Sequence, residues 1–293
     1  MIEGTLDIAP IAAPARAGAL KRLMRHRLAV AALIVLAILV IGSAGAPWLA
    51  PFDPEELDIA NRYAAPFTAG HILGTDDLGR DVLTRLMYAG QISLSVGIAA
   101  MLVTVVIGFS IGAFAAYYSG WIGTLLMRLT DIMLCFPSVF LLLFVAAFVT
   151  PSLTSMSLMI GLTCWMEIAR IVYSQILVLK SADFIAAAQM VGAPSWRIIL
   201  RQILPNTLSP VLVAATLNTA NAILLESYIS FLGYGIQPPA ASWGNMLTNA
   251  QSDFQVDPWL AVFPGIAITL AVSSFNFLGD GLRDALDPKI RDR

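Results

Sequence analysis

Apolar residues in this chain gather into long blocks separated by shorter polar stretches. A helix needs about 20 apolar residues to cross the hydrocarbon of a bilayer. Six blocks reach that length: 28–49, 92–116, 124–149, 153–176, 210–231 and 258–278. The pattern predicts an all-α polytopic membrane protein with six transmembrane helices. It divides the chain into an N-terminal tail (1–27), a first span (28–49), a connecting segment (50–91), a five-helix core (92–278) and a C-terminal tail (279–293).

The first block admits a second reading. Lys21, Arg22, Arg25 and Arg27 precede an apolar run that ends near Ala44-Gly45-Ala46, the layout of a secretory signal with a small-residue cleavage site. The basic leader is long for such a signal, and the apolar run continues to Leu49. Both features favour an uncleaved anchor.

Composition agrees with a lipid environment. Hydrophobic residues make up 58% of the chain and charged residues only 12%, where soluble domains are about half apolar and about a quarter charged. The net charge, 17 minus 19 or −2, offers no basic surface for nucleic acid.

The placement of Lys and Arg orients the spans, because cytoplasmic connections are enriched in both. Arg16, Lys21, Arg22, Arg25 and Arg27 precede the first block. Lys180, Arg197 and Arg201 lie between the fourth and fifth, and Arg283, Lys289, Arg291 and Arg293 follow the sixth. Segment 50–91 has Arg62, Arg80 and Arg85 diluted by seven acidic residues, and 232–257 has neither Lys nor Arg. Both termini and segment 177–209 are therefore expected in the cytoplasm, with 50–91 and 232–257 external.

Several chemistries are missing. No Lys follows a Gly, so there is no phosphate-cradling Walker loop, and neither HExxH nor GxSxG occurs. Cys135 and Cys164 lie in apolar blocks and suggest no disulfide framework. His26 and His71 form no metal motif and are expected as surface side chains. The chain is expected to be non-catalytic, with no cofactor and no metal of its own. Any ATP-driven step needs a separate ATPase.

Segment 177–209, LVLKSADFIAAAQMVGAPSWRIILRQILPNTLS, is too polar to span yet has helical periodicity. Phe184, Ala187, Ala188 and Val191 share one face of a short helix that Gly192 ends. Pro194 opens a second helix that carries Trp196, Ile199, Leu200 and Ile203 on one side and is expected to stop at Pro205. One reading is an amphipathic pair lying on the membrane surface. The other is a docking element for a cytoplasmic partner.

This segment resembles the EAA loop of ABC importer permeases, whose pattern is EAA, three residues, Gly, nine residues, then I-x-L-P. Ala187, Ala188, Gly192, Leu204 and Pro205 match; Ala186 stands at the Glu position and Gln202 at the Ile position. Residues 73–86 (LGTDDLGRDVLTRL), 230–247 (SFLGYGIQPPAASWGNML) and 275–288 (FNFLGDGLRDALDP) resemble signatures of the second permease subunit of dipeptide and oligopeptide importers, the DppC/OppC type. The resemblance implies a type I importer permease fold in the bacterial inner membrane. It also implies a heterodimeric pore with a homologous permease of the DppB/OppB type, two ATPases of the DppD/DppF type holding ATP and magnesium, and an extracytoplasmic substrate-binding protein. The coupling contacts to the ATPase would be Asp183, Phe184, Ala187, Ala188, Gly192, Ala193, Arg197 and Pro205. Peptide is the implied cargo. Permeases for nickel and glutathione share the same signatures, and the absence of His from the blocks favours peptide over nickel.

Polar groups inside the apolar blocks face protein or water rather than lipid. Asn218, Asn221 and Glu226 in the fifth block and Asn276 in the sixth are candidates for the pore or for contacts between helices. Arg128 with Asp131, and Glu167 with Arg170, are each spaced to pair along one helix, and are expected as structural pairs near the cytoplasmic end of their spans. Pro137 is expected to kink the third span. In the connecting segment, Gly74, Thr75, Asp76, Gly79, Arg80 and Asp81 suit a compact turn or a contact with an external partner. Segment 232–257, with Pro238-Pro239 and Trp243, is expected as a re-entrant or surface loop on the same side.

Overall fold

The computed structural model describes residues 16–286 apart from 69 and 119. The charges at 287–293 and the first fifteen residues lie outside it. Twelve α-helices are described: α1 (Arg16–Leu23), α2 (Arg27–Ala44), α3 (Ala46–Leu49), α4 (Val82–Tyr117), α5 (Trp121–Leu134), α6 (Ser138–Ala146), α7 (Leu153–Lys180), α8 (Asp183–Met190), α9 (Ser195–Ile198), α10 (Leu204–Phe231), α11 (Trp243–Asp253) and α12 (Trp259–Leu286). Five helical stretches are long and apolar enough to cross a membrane, and the bent pair α5–α6 makes a sixth.

The helix ends follow from their caps. His26 caps α2: its Nδ1 accepts the Ala29 N–H at 3.2 Å, and its Nε2 lies 3.6 Å from Asp284 on α12. It stays partly exposed, as a surface side chain is expected to be, while serving as a cap. Helix α4 starts ten residues before the apolar block, because Asp81 accepts the Thr84 N–H at 2.7 Å. Its first turns are covered by protein, so polar Thr84 and Arg85 are buried there without meeting lipid.

The third span is broken rather than kinked. Its two halves meet at 82° across residues 135–137. Pro137 has no N–H for the helical ladder and disfavours helical geometry at the residue before it.

A single five-residue π-turn, Ile199–Ile203, joins α9 to α10. The expected stop at Pro205 is corrected: Pro205 occupies the first turn of α10, where a missing N–H costs nothing, and the helix runs on to Phe231. The widened turn just before it accommodates the ring. Segment 232–257 is likewise more than a loop. It contains α11, started by a capping box between Ser242 and Asn245.

Helices α4 and α7 form the closest pairing. A Cβ placed on Gly108 would lie 2.6 Å from the Trp165 carbonyl oxygen, and one on Gly112 2.4 Å from that of Ala169. Such small-xxx-small spacing lets two helix backbones touch where lipid offers no hydrophobic drive. Around this pair, α10 and α12 close the bundle, with Trp243 of α11 buried against Val82, Ile223 and Ala271. Ile38, Val106 and Phe144 stay exposed on the outside, as a lipid-facing surface requires.

Candidate functional site

Three features carry the candidate residues: a knuckle between α7 and α10, a cleft at the centre of the bundle, and the turn that precedes α4.

The knuckle begins where α7 ends. Lys180 Nζ donates to the carbonyls of Ala116 (3.2 Å) and Tyr117 (3.0 Å), at the C-terminal end of α4 where a cation is favoured. Helix α8 follows and is held by Ile185, which is buried with Val172, Ile176, Ile198 and Ile203. Ala188 and Ala193 are half-buried against that cluster. The Gly192 N–H donates to Gln189 (2.9 Å) and the Ala193 N–H to Ala188 (3.0 Å), closing the helix through a left-handed residue at φ +76°. On the opposite side Phe184, Ala187, Met190, Val191, Trp196 and Arg197 point away from the bundle. Met190 and Val191 are 87% and 88% exposed. The expected single face is therefore divided: Ala188 turns inward, while Phe184, Ala187 and Val191 turn out. Ile185 is the anchor that the periodicity does not reveal. Asp183 lies exposed in the first turn of α8, and Pro205 is half-buried beyond the π-turn.

Asn218 and Asn221 line one open cleft together with Pro137, Ser138, Thr163 and Glu167. Glu226 and Asn276 are not on its wall. Glu226 is fully buried and turns toward α4: its carboxylate accepts from Ser93 Oγ (2.8 Å) and Ser230 Oγ (2.8 Å). Contact between helices is thus its structural setting. Asn276 is half-buried on α12. The expected Glu167–Arg170 pair is absent. Arg170 instead reaches across to Asp131 at 3.9 Å, and Asp131 also keeps its expected partner Arg128 at 3.7 Å.

In the turn before α4, Asp76 is the centre. It accepts the backbone N–H groups of Leu78 (2.9 Å) and Arg80 (3.0 Å) and pairs with Arg80 Nε at 2.7 Å. Arg85 Nε lies 3.5 Å from the same carboxylate, and Asp77 lies 3.5 Å from Arg80. The Thr75 hydroxyl accepts the Ala64 N–H at 2.9 Å and donates to the Asn61 carbonyl. Asn61 Nδ2 also donates to Asp58 at 2.8 Å and holds that carboxyl below its usual range. Gly74 and Gly79 take left-handed conformations that close the turn. His71 is 4% exposed, lies tilted at 31° against the Phe52 ring and 2.9 Å from Asp81, which corrects its expected place on the surface.

Five apolar helices with a bent pair as a sixth span, and a polar cleft at that bend, make this a multi-span membrane protein. Residues 108–292 match the family described as binding-protein-dependent transport system inner membrane component. Residues 16–66 match the N-terminal transmembrane domain of oligopeptide transport permease C. The oligopeptide transport system permease protein OppC of Haemophilus influenzae is 43% identical over 272 residues, covering 92% of this chain and 88% of that protein. The dipeptide transport system permease protein DppC of Alkalihalophilus pseudofirmus is 40% identical over 273 residues, covering 93% and 90%. The glutathione transport system permease protein GsiD of Pectobacterium atrosepticum is 38% identical over 271 residues, covering 92% and 90%. This chain belongs to the binding-protein-dependent transport system inner membrane component family.

Proposed function

We propose that this chain is one of two pore-forming permease subunits of an ATP-driven importer that brings di- or oligopeptides across the bacterial inner membrane. Both termini and the α8 knuckle face the cytoplasm, where Lys and Arg concentrate. The turn before α4 and α11 face the outside. Partners are a homologous permease, two ATPase subunits that hold ATP and magnesium, and an extracytoplasmic binding protein. The oligopeptide and dipeptide permeases among the relatives support a peptide cargo. The glutathione permease, 38% identical, supports a second reading in which the cargo is that modified tripeptide.

The observation that carries the proposal is the knuckle. Ile185 roots α8 in the bundle, while Met190 and Val191 present apolar side chains that nothing among the described residues covers. Exposed apolar groups on a short rigid helix suit a groove in a partner protein. Closure of the ATPases around ATP would push α8, and the rigid helices α7 and α10 on either side would carry that displacement to the cleft. This is a rigid-body switch between two states.

Co-purification tests the proposal. Met190→Asp and Val191→Asp leave every buried contact of α8 in place. The chain is expected to insert normally yet lose its ATPase partners and its ATP-dependent peptide uptake. Full retention of both in the double variant overturns the docking role.

A further inference from the structure

Resting on the permease reading above, we propose that the cleft at the break of the third span is a subsite for the free α-ammonium group of a peptide in transit, with Glu167 as its anion and Asn218 as its second acceptor.

Two helices contribute their midpoints to this cleft, and the third span contributes its break. Glu167 lies 14 residues after the start of α7 and 13 before its end. Asn218 lies 14 residues after the start of α10 and 13 before its end. The break at residues 135–137 divides the third span between α5 and α6. At about 1.5 Å per residue, both side chains sit roughly 20 Å from either end of their helices. Backbone leaves the helical ladder at such depth only where it is covered by protein or lines a polar cavity. Here the interrupted backbone, Pro137 and Ser138, forms one wall of the cleft, and Thr163, Glu167, Asn218 and Asn221 form the others.

The charge in the cleft is uncompensated. A carboxylate at mid-membrane marks a functional position unless it is paired. Glu167 forms no ion pair among the described residues, and the cation spaced to meet it, Arg170, is drawn to Asp131. Asn218 is only 7% exposed, and its Oδ1 has no hydrogen-bond partner among the described residues. Buried polar atoms without partners are rare, because each keeps the cost of leaving water with no bond to offset it. A carboxylate and an unsatisfied amide oxygen on facing helices ask for a ligand that donates several hydrogen bonds and carries positive charge. An ammonium group has three donors and no acceptor. Asn221, exposed on the same wall one turn further along α10, offers both a donor and an acceptor to the peptide bond that follows.

The test uses the complete transporter in lipid nanodiscs, with Cys135 and Cys164 replaced by Ser and Ser138→Cys as a thiol at the edge of the cleft. Maleimide labelling of that thiol is followed during ATP turnover with no peptide, with trialanine, or with N-acetyl-trialanine. Trialanine is expected to slow labelling about tenfold, the effect of one charged hydrogen bond worth roughly 1.4 kcal/mol. N-acetyl-trialanine is expected to leave it unchanged. Glu167→Gln should abolish the protection and Glu167→Asp should keep part of it. Equal protection by both peptides, unaltered protection in Glu167→Gln, or a thiol that never labels each overturns the subsite. ATPase co-purification is measured in the same preparations. Its loss would count against the permease reading, whereas lost protection with the complex intact reports on the subsite alone.

Discussion

The backbone N–H of Trp243 donates to the side chain of Ser93, 150 residues earlier in the chain, at 3.2 Å. The Ser93 hydroxyl in turn donates to Glu226 at 2.8 Å. One buried relay thus ties the first residue of α11 to α4 and α10. Asn245 adds two bonds that hold the preceding loop, to the carbonyls of Ile236 (3.1 Å) and Ala240 (2.8 Å).

The first prediction concerns that relay. Glu226→Ala removes the acceptor of two buried hydroxyls, Ser93 and Ser230, each left unpaired at about 1–3 kcal/mol. The variant is expected to melt several degrees below the parent in detergent. Glu226→Gln keeps the shape and part of the acceptor capacity, so it should fall between the two. Fluorescence-detected size exclusion after heating measures this, and an unchanged melting point for Glu226→Ala would show that the relay contributes nothing to stability.

A second prediction follows from the turn before α4. Gly79 adopts φ +78°, and a Cβ there would lie 1.8 Å from the backbone oxygen of Asp58. Backbone cannot step aside as a flexible side chain does. Strain of about 1–3 kcal/mol plus the overlap should open the segment before α4 in Gly79→Ala. Limited proteolysis of the intact protein is expected to cut between residues 50 and 80 much faster than in the parent. A cleavage rate equal to that of a control variant at exposed Leu78 would refute the argument.

The spans are legible in the sequence because lipid imposes a simple requirement: about 20 apolar residues in a row. The start of α4 is not, since Thr84 and Arg85 are shielded by protein, where the apolar requirement lapses. Helix α11 escapes for a related reason. Its sequence, WGNMLTNAQSD, is largely polar, and only the capping pair Ser242 and Asn245 marks its start. Pro137 announces a bend but not its size, which depends on how the neighbouring helices pack. In the cleft, local spacing points to a Glu167–Arg170 pair. The partner that Arg170 takes, Asp131, lies 39 positions away on another helix, and no periodicity reports such a contact. The usable signal is the rarity of a carboxylate in the middle of an apolar block.

Gly192 yields a third prediction, one that separates backbone geometry from bulk. Its φ is +76°, yet a Cβ placed there would have nothing within 4 Å. Substitution there meets strain rather than collision. Gly192→Asn, which tolerates the left-handed region, should retain ATPase co-purification. Gly192→Ala should lose about 1 kcal/mol of turn stability and bind less tightly. Gly192→Pro should fail, because it forces φ negative and deletes the N–H that Gln189 accepts. A ranking by side-chain size, with Ala better than Asn, would contradict this account.

The last prediction asks what keeps Glu167 available. Asp131 holds Arg170 at 3.9 Å and Arg128 at 3.7 Å; both arginines are well exposed and Asp131 is partly so. Such pairs are worth only about 0.5 kcal/mol, roughly a twofold effect. The two alternatives open to Arg170 are nonetheless close competitors, since Glu167 lies three residues before it on the same helix face. Asp131→Asn removes one competitor, so Arg170 should turn toward Glu167 part of the time and neutralise the cleft. Uptake of a peptide with a free amino terminus should fall about twofold to threefold, with ATPase co-purification unchanged. Adding Arg170→Gln removes the intruding cation and should restore uptake. That suppression distinguishes the argument from a simple loss of packing at Asp131: a double variant no better than Asp131→Asn would mean that Arg170 never competes for Glu167.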